Sequence, residues 1–202
     1  PTATDTPLPT ATDTPLPTAT SEVNLPFVTT WDLLSVDTIT LPLTSDGIYN
    51  FTVDWGDGSS VDTITSYNQP EISHTYSNPI GIKTVTINGT IQGWRIQNNT
   101  PEMDTLKSIE SWGPLKLDNY GFAFLSCRNL ILNTVQDTLD LTGITNLRST
   151  FEFCDNLTTI NNIENWDVSN VEDMDSMFRV SEFNSNIGTW NVSGVTNMNA
   201  MF

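Results

Sequence analysis

Basic residues are scarce in this 202-residue chain: seven Lys and Arg stand against 24 Asp and Glu, for a formal net charge of −17. A surface of that sign repels phosphate backbones and anionic lipid headgroups, which argues against nucleic-acid and membrane-surface binding. There is one histidine, His74, and there are two cysteines, Cys127 and Cys154. That inventory leaves no second His, no serine nucleophile elbow and no Cys/His cluster, so neither a Ser-His-Asp arrangement nor a thiolate–imidazole metal site can be assembled. Apolar runs are short. None approaches the roughly 18 residues that a membrane-spanning helix needs. No leader segment is visible, the chain opens on Pro1, and it stops on Phe202 inside a repeated pattern without a polar capping unit. We therefore expect a piece of a longer protein.

What the chain has in quantity is repetition. Residues 1–21 run Pro-Thr-Ala-Thr-Asp-Thr-Pro-Leu twice and then begin again at Pro17. With no aromatic residue and regular prolines, this stretch cannot offset the entropy of ordering and is expected to be a disordered, extended stalk. Its threonines are candidates for O-linked sugar, and an unmodified linker fits the composition equally well.

Residues 22–92 are different. Short runs rich in β-branched and aromatic residues (27–31, 36–41, 48–55, 61–67, 83–88) alternate with turn sequences such as Ser45-Asp46-Gly47 and Gly56-Asp57-Gly58. Strands at this spacing predict a small antiparallel β-sandwich. Asp54 and Asp57 flank the sharpest turn. Their carboxylates are the hard oxygen ligands that calcium takes, and equally the acceptors that cap backbone N–H groups in Asx turns. The EF-hand spacing and its closing Glu are missing. We expect no cofactor, with calcium at Asp54 and Asp57 as the one alternative. His74, beside Tyr76, is expected to be a packed residue.

Residues 93–111 are a junction, with a strand at 93–96 and with Trp94 and Trp112 expected to cover the end of the next module. From 112 to 202 one pattern is written about four times, the last copy truncated. Phe124, Phe151, Phe178 and Phe202 mark it at spacings of 27, 27 and 24 residues, and parallel columns run through Leu117, Ile144, Val171 and Val195, through Tyr120, Leu147, Met174 and Met198, and through Trp112, Leu139, Trp166 and Trp190. A fixed period of 20–30 residues predicts a leucine-rich-repeat-like α/β solenoid of short parallel strands and short helices, each unit burying its apolar face against its neighbours. Ser169 followed by Glu172 reads as a capping box, with Val171, Met174 and Phe178 on one helical face. Cys127 and Cys154 both lie three residues after a Phe and so share a column, either as packed thiols or bridged across the stack.

Two resemblances follow from these residues. Val53-Asp54-Trp55-Gly56-Asp57-Gly58-Ser59, then His74-Thr75-Tyr76, then Gly81-Ile-Lys-Thr-Val85, resembles the polycystic-kidney-disease (PKD) domain, an immunoglobulin-like sandwich of extracellular proteins. Trp166-Asp-Val-Ser-Asn-Val-Glu-Asp-Met-Asp-Ser-Met-Phe178 and its copy at 190–202, with Phe-x-x-Cys-x-Asn-Leu upstream, resemble the repeat of BspA-like leucine-rich-repeat bacterial surface proteins over about 104–202. The resemblances imply a secreted or surface-attached bacterial protein without enzymatic activity, which binds a protein, cell-surface or matrix ligand through its repeats. The alternative is an accessory region, for targeting or spacing, of a secreted hydrolase. Candidate contact residues on the repeats are Glu172, Asp173, Asp175, Asn197 and Asn199.

Overall fold

A computed structural model describes residues 25–33, 36–96 and 100–202; the stalk and the Asn98-Asn99 turn of the junction lie outside these residues. A six-stranded sheet dominates the N-terminal half. In chain order its strands are β1 (Phe27–Asp32), β3 (Leu43–Asp54), β4 (Asp62–Ile64), β6 (Ile82–Trp94), β7 (Leu106–Ser111) and β8 (Leu115–Lys116). The spatial order is β4-β3-β6-β1-β7, antiparallel throughout, with β8 added parallel to β6. A second sheet is only a pair, β2 (Thr38–Thr40) with β5 (Ser73–Thr75). One helical turn, α1 (Glu102–Thr105), precedes β7.

The alternation written into these strands sets which side is core. In β1, Phe27, Thr29 and Trp31 are buried while Val28, Thr30 and Asp32 are only partly so. In β3 and β6 the buried residues include Tyr49, Phe51 and Val53 with Val85, Ile87 and Ile91; the β3–β6 pairing sets Tyr49 opposite Ile91 and Val53 opposite Ile87. The register between these two strands slips between Leu43 and Ile48, so residues 44–47 bulge out of the ladder. This differs from the self-standing PKD or immunoglobulin-like sandwich expected over 22–92. One sheet carries the fold, and β7 and β8 complete it from residues beyond 100. The reason is burial: Leu106, Ile109 and Leu115 are fully buried and need the apolar side of β1 and β6.

The α/β solenoid expected over 112–202 is likewise corrected. Beyond residue 116 the described residues contain no strand longer than an isolated bridge and no helix except a single 3-10 turn at Ile163–Asn165. The predicted helix at 170–178 does not form because its N–H groups are used sideways. Glu172 N donates to Thr145 O (2.8 Å), Met174 N to Asn197 O (2.8 Å), Ser176 N to Asn199 O (2.8 Å) and Phe178 N to Met201 O (2.8 Å). The capping box fails with it: the Ser169 hydroxyl donates to Asp167 Oδ1 at 2.6 Å instead. The same lateral bonding joins 122, 124 and 126 to the carbonyls of 148, 150 and 152, and 147, 149, 151 and 153 to those of 173, 175, 177 and 179.

These turns repeat in backbone conformation as well as in sequence. Phe122, Ser149, Ser176 and Ala200 are all left-handed (φ 62°, 49°, 57° and 46°), and so are Ser126, Phe153 and Val180 (60°, 59° and 54°). Two left-handed residues per unit turn each coil too tightly for a helix. Inside, the Phe column stacks face to face, with centroids 5.5 Å apart for Phe124–Phe151, 5.7 Å for Phe151–Phe178 and 6.0 Å for Phe178–Phe202. Trp112 joins sheet to stack: it is fully buried against Phe124 (5.9 Å) and Trp166 (6.0 Å). One contiguous apolar core results, running from Phe27 to Met201.

Candidate functional site

The turn after β3 gathers the chemically distinctive residues of the N-terminal half. Asp54 Oδ1 accepts the Gly56 N–H at 2.8 Å, and Asp57 Oδ1 accepts that of Ser59 at 3.0 Å. Both Asp residues are therefore Asx caps in this structure. The second oxygen of Asp57 meets His74 Nε2 at 2.8 Å. Hydrogen bonds from Ser59 and His74 hold the Asp57 carboxyl well below the usual carboxylate range. His74 is wedged between two aromatic rings, stacked on Trp55 at 5.0 Å and edge-on to Tyr76 at 4.7 Å. Tyr76 donates to the Trp55 carbonyl (2.9 Å), and Trp55 Nε1 donates to Asp62 Oδ2 (2.9 Å). The cluster ties the turn to β4 and β5. No group of three or more His, Cys, Asp or Glu is gathered around a common point among the described residues.

Cys127 and Cys154 are both buried free thiols. Burial pushes both thiols up from their ordinary range, and the Cys154 thiol donates to the Phe124 carbonyl at 3.2 Å. They act as small apolar packing groups between neighbouring coils.

The five candidate contact residues fall in two neighbouring units whose segments lie side by side. Asp173 is bridged to Asn197, and the N–H of Ser176, beside Asp175, bonds to the carbonyl of Asn199. Their side chains have different occupations. Asp173 Oδ1 caps the Asp175 N–H (2.9 Å) and Asn197 Oδ1 caps that of Asn199 (3.2 Å). Asp175 is held by Arg148 at 3.1 Å and by the Ser176 hydroxyl. Glu172 and Asn199 remain exposed, on a backbone fixed by the ladder. What sequence reasoning missed is the pair of arginines that bind unit to unit. Arg148 reaches Asp175, and Arg179 reaches Glu152 at 2.7 Å. Each lies over an aromatic ring of the preceding unit, Phe122 at 5.9 Å and Phe153 at 5.7 Å. The available signal was their rarity, two of only seven basic residues in the chain.

With this geometry in hand, comparison with known proteins gives one match. Residues 118–202 match the family described as "Mycoplasma protein of unknown function, DUF285". The match lies on the stacked turns and carries neither a leucine-rich-repeat nor a PKD description, so neither of the two resemblances drawn from sequence is what the comparison identifies. No curated protein and no solved structure matches the chain. Among the described residues, no helix is long and apolar enough to cross a membrane.

Proposed function

We propose that the chain is a non-catalytic recognition module of the bacterial exterior or cell surface, binding a protein or other surface partner through the exposed face of its stacked units. The observation that carries this reading is the lateral ladder, which fixes the backbone under exposed residues such as Glu172 and Asn199 of neighbouring units. A backbone held this way has little entropy left to lose on binding, and pre-organisation of that kind favours recognition. The net charge of −17 makes a partner with a basic surface the better fit. No cofactor enters the reading.

The test is direct. The chain is immobilised and probed with basic extracellular matrix proteins, alongside Glu172→Lys and the double variant Glu172→Lys/Asn199→Lys. Binding by the native chain that weakens at least tenfold in the double variant, falls with rising salt and is unchanged by EDTA supports the module. Equal binding by native and double-variant chains overturns it.

A further inference from the structure

A cavity of about 450 Å³ opens at the seam between the sheet and the first stacked turns. Ligand pockets commonly span about 300–1,000 Å³, so the volume suits a small molecule or the end of a chain. Four segments distant in sequence build it: the β3 bulge with Thr44, Asp46 and Gly47, the end of β6 with Gln92 and Gly93, the turn carrying Lys116 to Tyr120, and the turn carrying Thr142 to Ile144.

Its sheet-side wall is tightly made. The buried Tyr49 hydroxyl accepts the Thr44 N–H at 2.8 Å and lies 3.0 Å and 2.9 Å from the Thr44 and Gly93 carbonyls, between which its one proton is shared. A Cβ at Gly47 would collide with that hydroxyl, and one at Gly93 would collide with Thr44 Oγ1, so both positions admit only glycine. The opposite wall is equally constrained. Asn119 donates to the Gly143 carbonyl at 3.1 Å and accepts the Thr145 N–H at 2.7 Å.

The groups facing ligand are an aromatic ring and oxygen acceptors. Tyr120 is 55% exposed, whereas its equivalents in the two middle units, Leu147 and Met174, are buried and that of the last unit, Met198, is 42% exposed; the first unit thus puts an aromatic ring at this mouth. Arg95 lies over that ring, 5.1 Å from its centroid. The nearby Asp46 carboxylate, acting on the Tyr120 hydroxyl, raises the phenol above its usual range. Asp118 uses Oδ1 to cap the Tyr120 N–H (3.0 Å), while its Oδ2 is buried and finds no hydrogen-bond donor among the described residues. Burial raises the Asp118 carboxyl from the ordinary carboxylate range.

Charge decides between ligand classes. Around the cavity, Asp46, Asp118 and Asp140 face Lys116 and Arg95, and Lys116 is paired to Asp140 at 2.9 Å. Three carboxylates against two cations leave at most one net charge in a chain that carries −17. Such a site has no field to draw in a phosphate and little to select an ammonium group, and its polar walls do not suit an apolar ligand.

We infer that this cavity is a saccharide-binding site that takes the terminal residue of a neutral, hydroxyl-rich glycan. The Tyr120 ring receives the apolar face of the sugar on the side away from Arg95, and the exposed Asp46 carboxylate accepts from its hydroxyls. Hydrogen bonds to charged acceptors are the stronger kind, and an exposed ring beside them supplies apolar area. The site lies apart from the Glu172/Asn199 face and does not depend on that face binding anything.

The test uses the whole chain on an array of neutral and anionic glycans, followed by NMR titration with the best neutral oligosaccharide. Expected are retention of neutral glycans, amide shifts centred on Gly93 and Gly143, at least tenfold weaker binding in Tyr120→Ala, a smaller loss in Tyr120→Phe than in Tyr120→Ala, and intermediate loss in Asp46→Asn. Absence of neutral-glycan binding, or binding that Tyr120→Ala and Asp46→Asn leave unchanged, overturns the inference. So does binding confined to anionic glycans. The amide shifts are read on the native chain, so the inference stays open to refutation even if a variant fails to fold.

Discussion

Val180 is a β-branched residue held at φ 54°, half-exposed, in a position that left-handed geometry makes costly for any side chain branched at Cβ. Replacing it by Gly or Asn should raise stability by about 1 kcal/mol, read as a higher urea midpoint, since the strain relieved exceeds the backbone entropy that Gly adds. A second prediction at this scale concerns Asp57 and Asp118, whose titrations oppose one another. Asp57 is depressed in the folded chain, so the unfolded chain binds protons more readily. Its stabilisation is full above the ordinary Asp pKa of about 3.9 and is lost as pH falls through its lower folded value. Asp118 is raised, so it takes stability away as pH climbs from the ordinary Asp value through its folded one. Urea midpoints followed from pH 7 to 2.5 should lose less at the acid end in Asp57→Asn than in the native chain. In Asp118→Asn, the decline on the neutral side of pH 4 should flatten.

The unit of the C-terminal half is a coil bonded to its neighbours, and the Phe column is where neighbours meet. Phe151 touches rings on both sides, at 5.5 Å and 5.7 Å, and is fully buried, whereas Phe202 is 68% exposed. Phe151→Ala should cost about 3–5 kcal/mol, and Phe202→Ala less than half as much, by chemical denaturation. The columns themselves were legible in the sequence, and so were the residues they bury: Val171, Met174 and Phe178 all point inward as their spacing required. The helix inferred from them was not, because spacings of three, four and seven also fit tight turns. Only the destination of the N–H groups separates the two, and those of Glu172, Met174, Ser176 and Phe178 go to carbonyls of neighbouring units, at Thr145, Asn197, Asn199 and Met201. Most β-runs of the sheet could be read locally, as β1 and β3 show. The contribution of β7 could not, since its partner β1 lies nearly 80 residues earlier, as the Thr30–Ser108 hydroxyl contact illustrates. The seam cavity escaped for the same reason: Asp46, Gly93 and Asp118 are unremarkable alone, and a strand bulge brings them together.

Across the whole molecule the sheet and the stack share one core, joined through Trp112. Tryptophan fluorescence, which reports on both halves, and far-UV circular dichroism should therefore trace coincident urea transitions; two separated transitions would show that the seam is a weak joint. A net charge of −17 within that single body also means self-repulsion. Raising salt from about 10 mM to 150 mM shortens the screening length from about 30 Å to 8 Å and should raise the thermal midpoint. The ion pairs of Arg148 and Arg179 weaken under the same change, but exposed pairs of this kind contribute little.

The lateral ladder has a mechanical side. A coil bonded only to the coils above and below it can be peeled without breaking the sheet, a few hydrogen bonds at a time. Drawn from its C-terminal end, the stack should yield in steps, each releasing one period of 24 or 27 residues. At about 3.3–3.6 Å per extended residue that is roughly 80–95 Å of added length per step. A protein built this way would yield to a pulling force by paying out chain in measured increments while its sheet stayed folded, and force spectroscopy would count the coils.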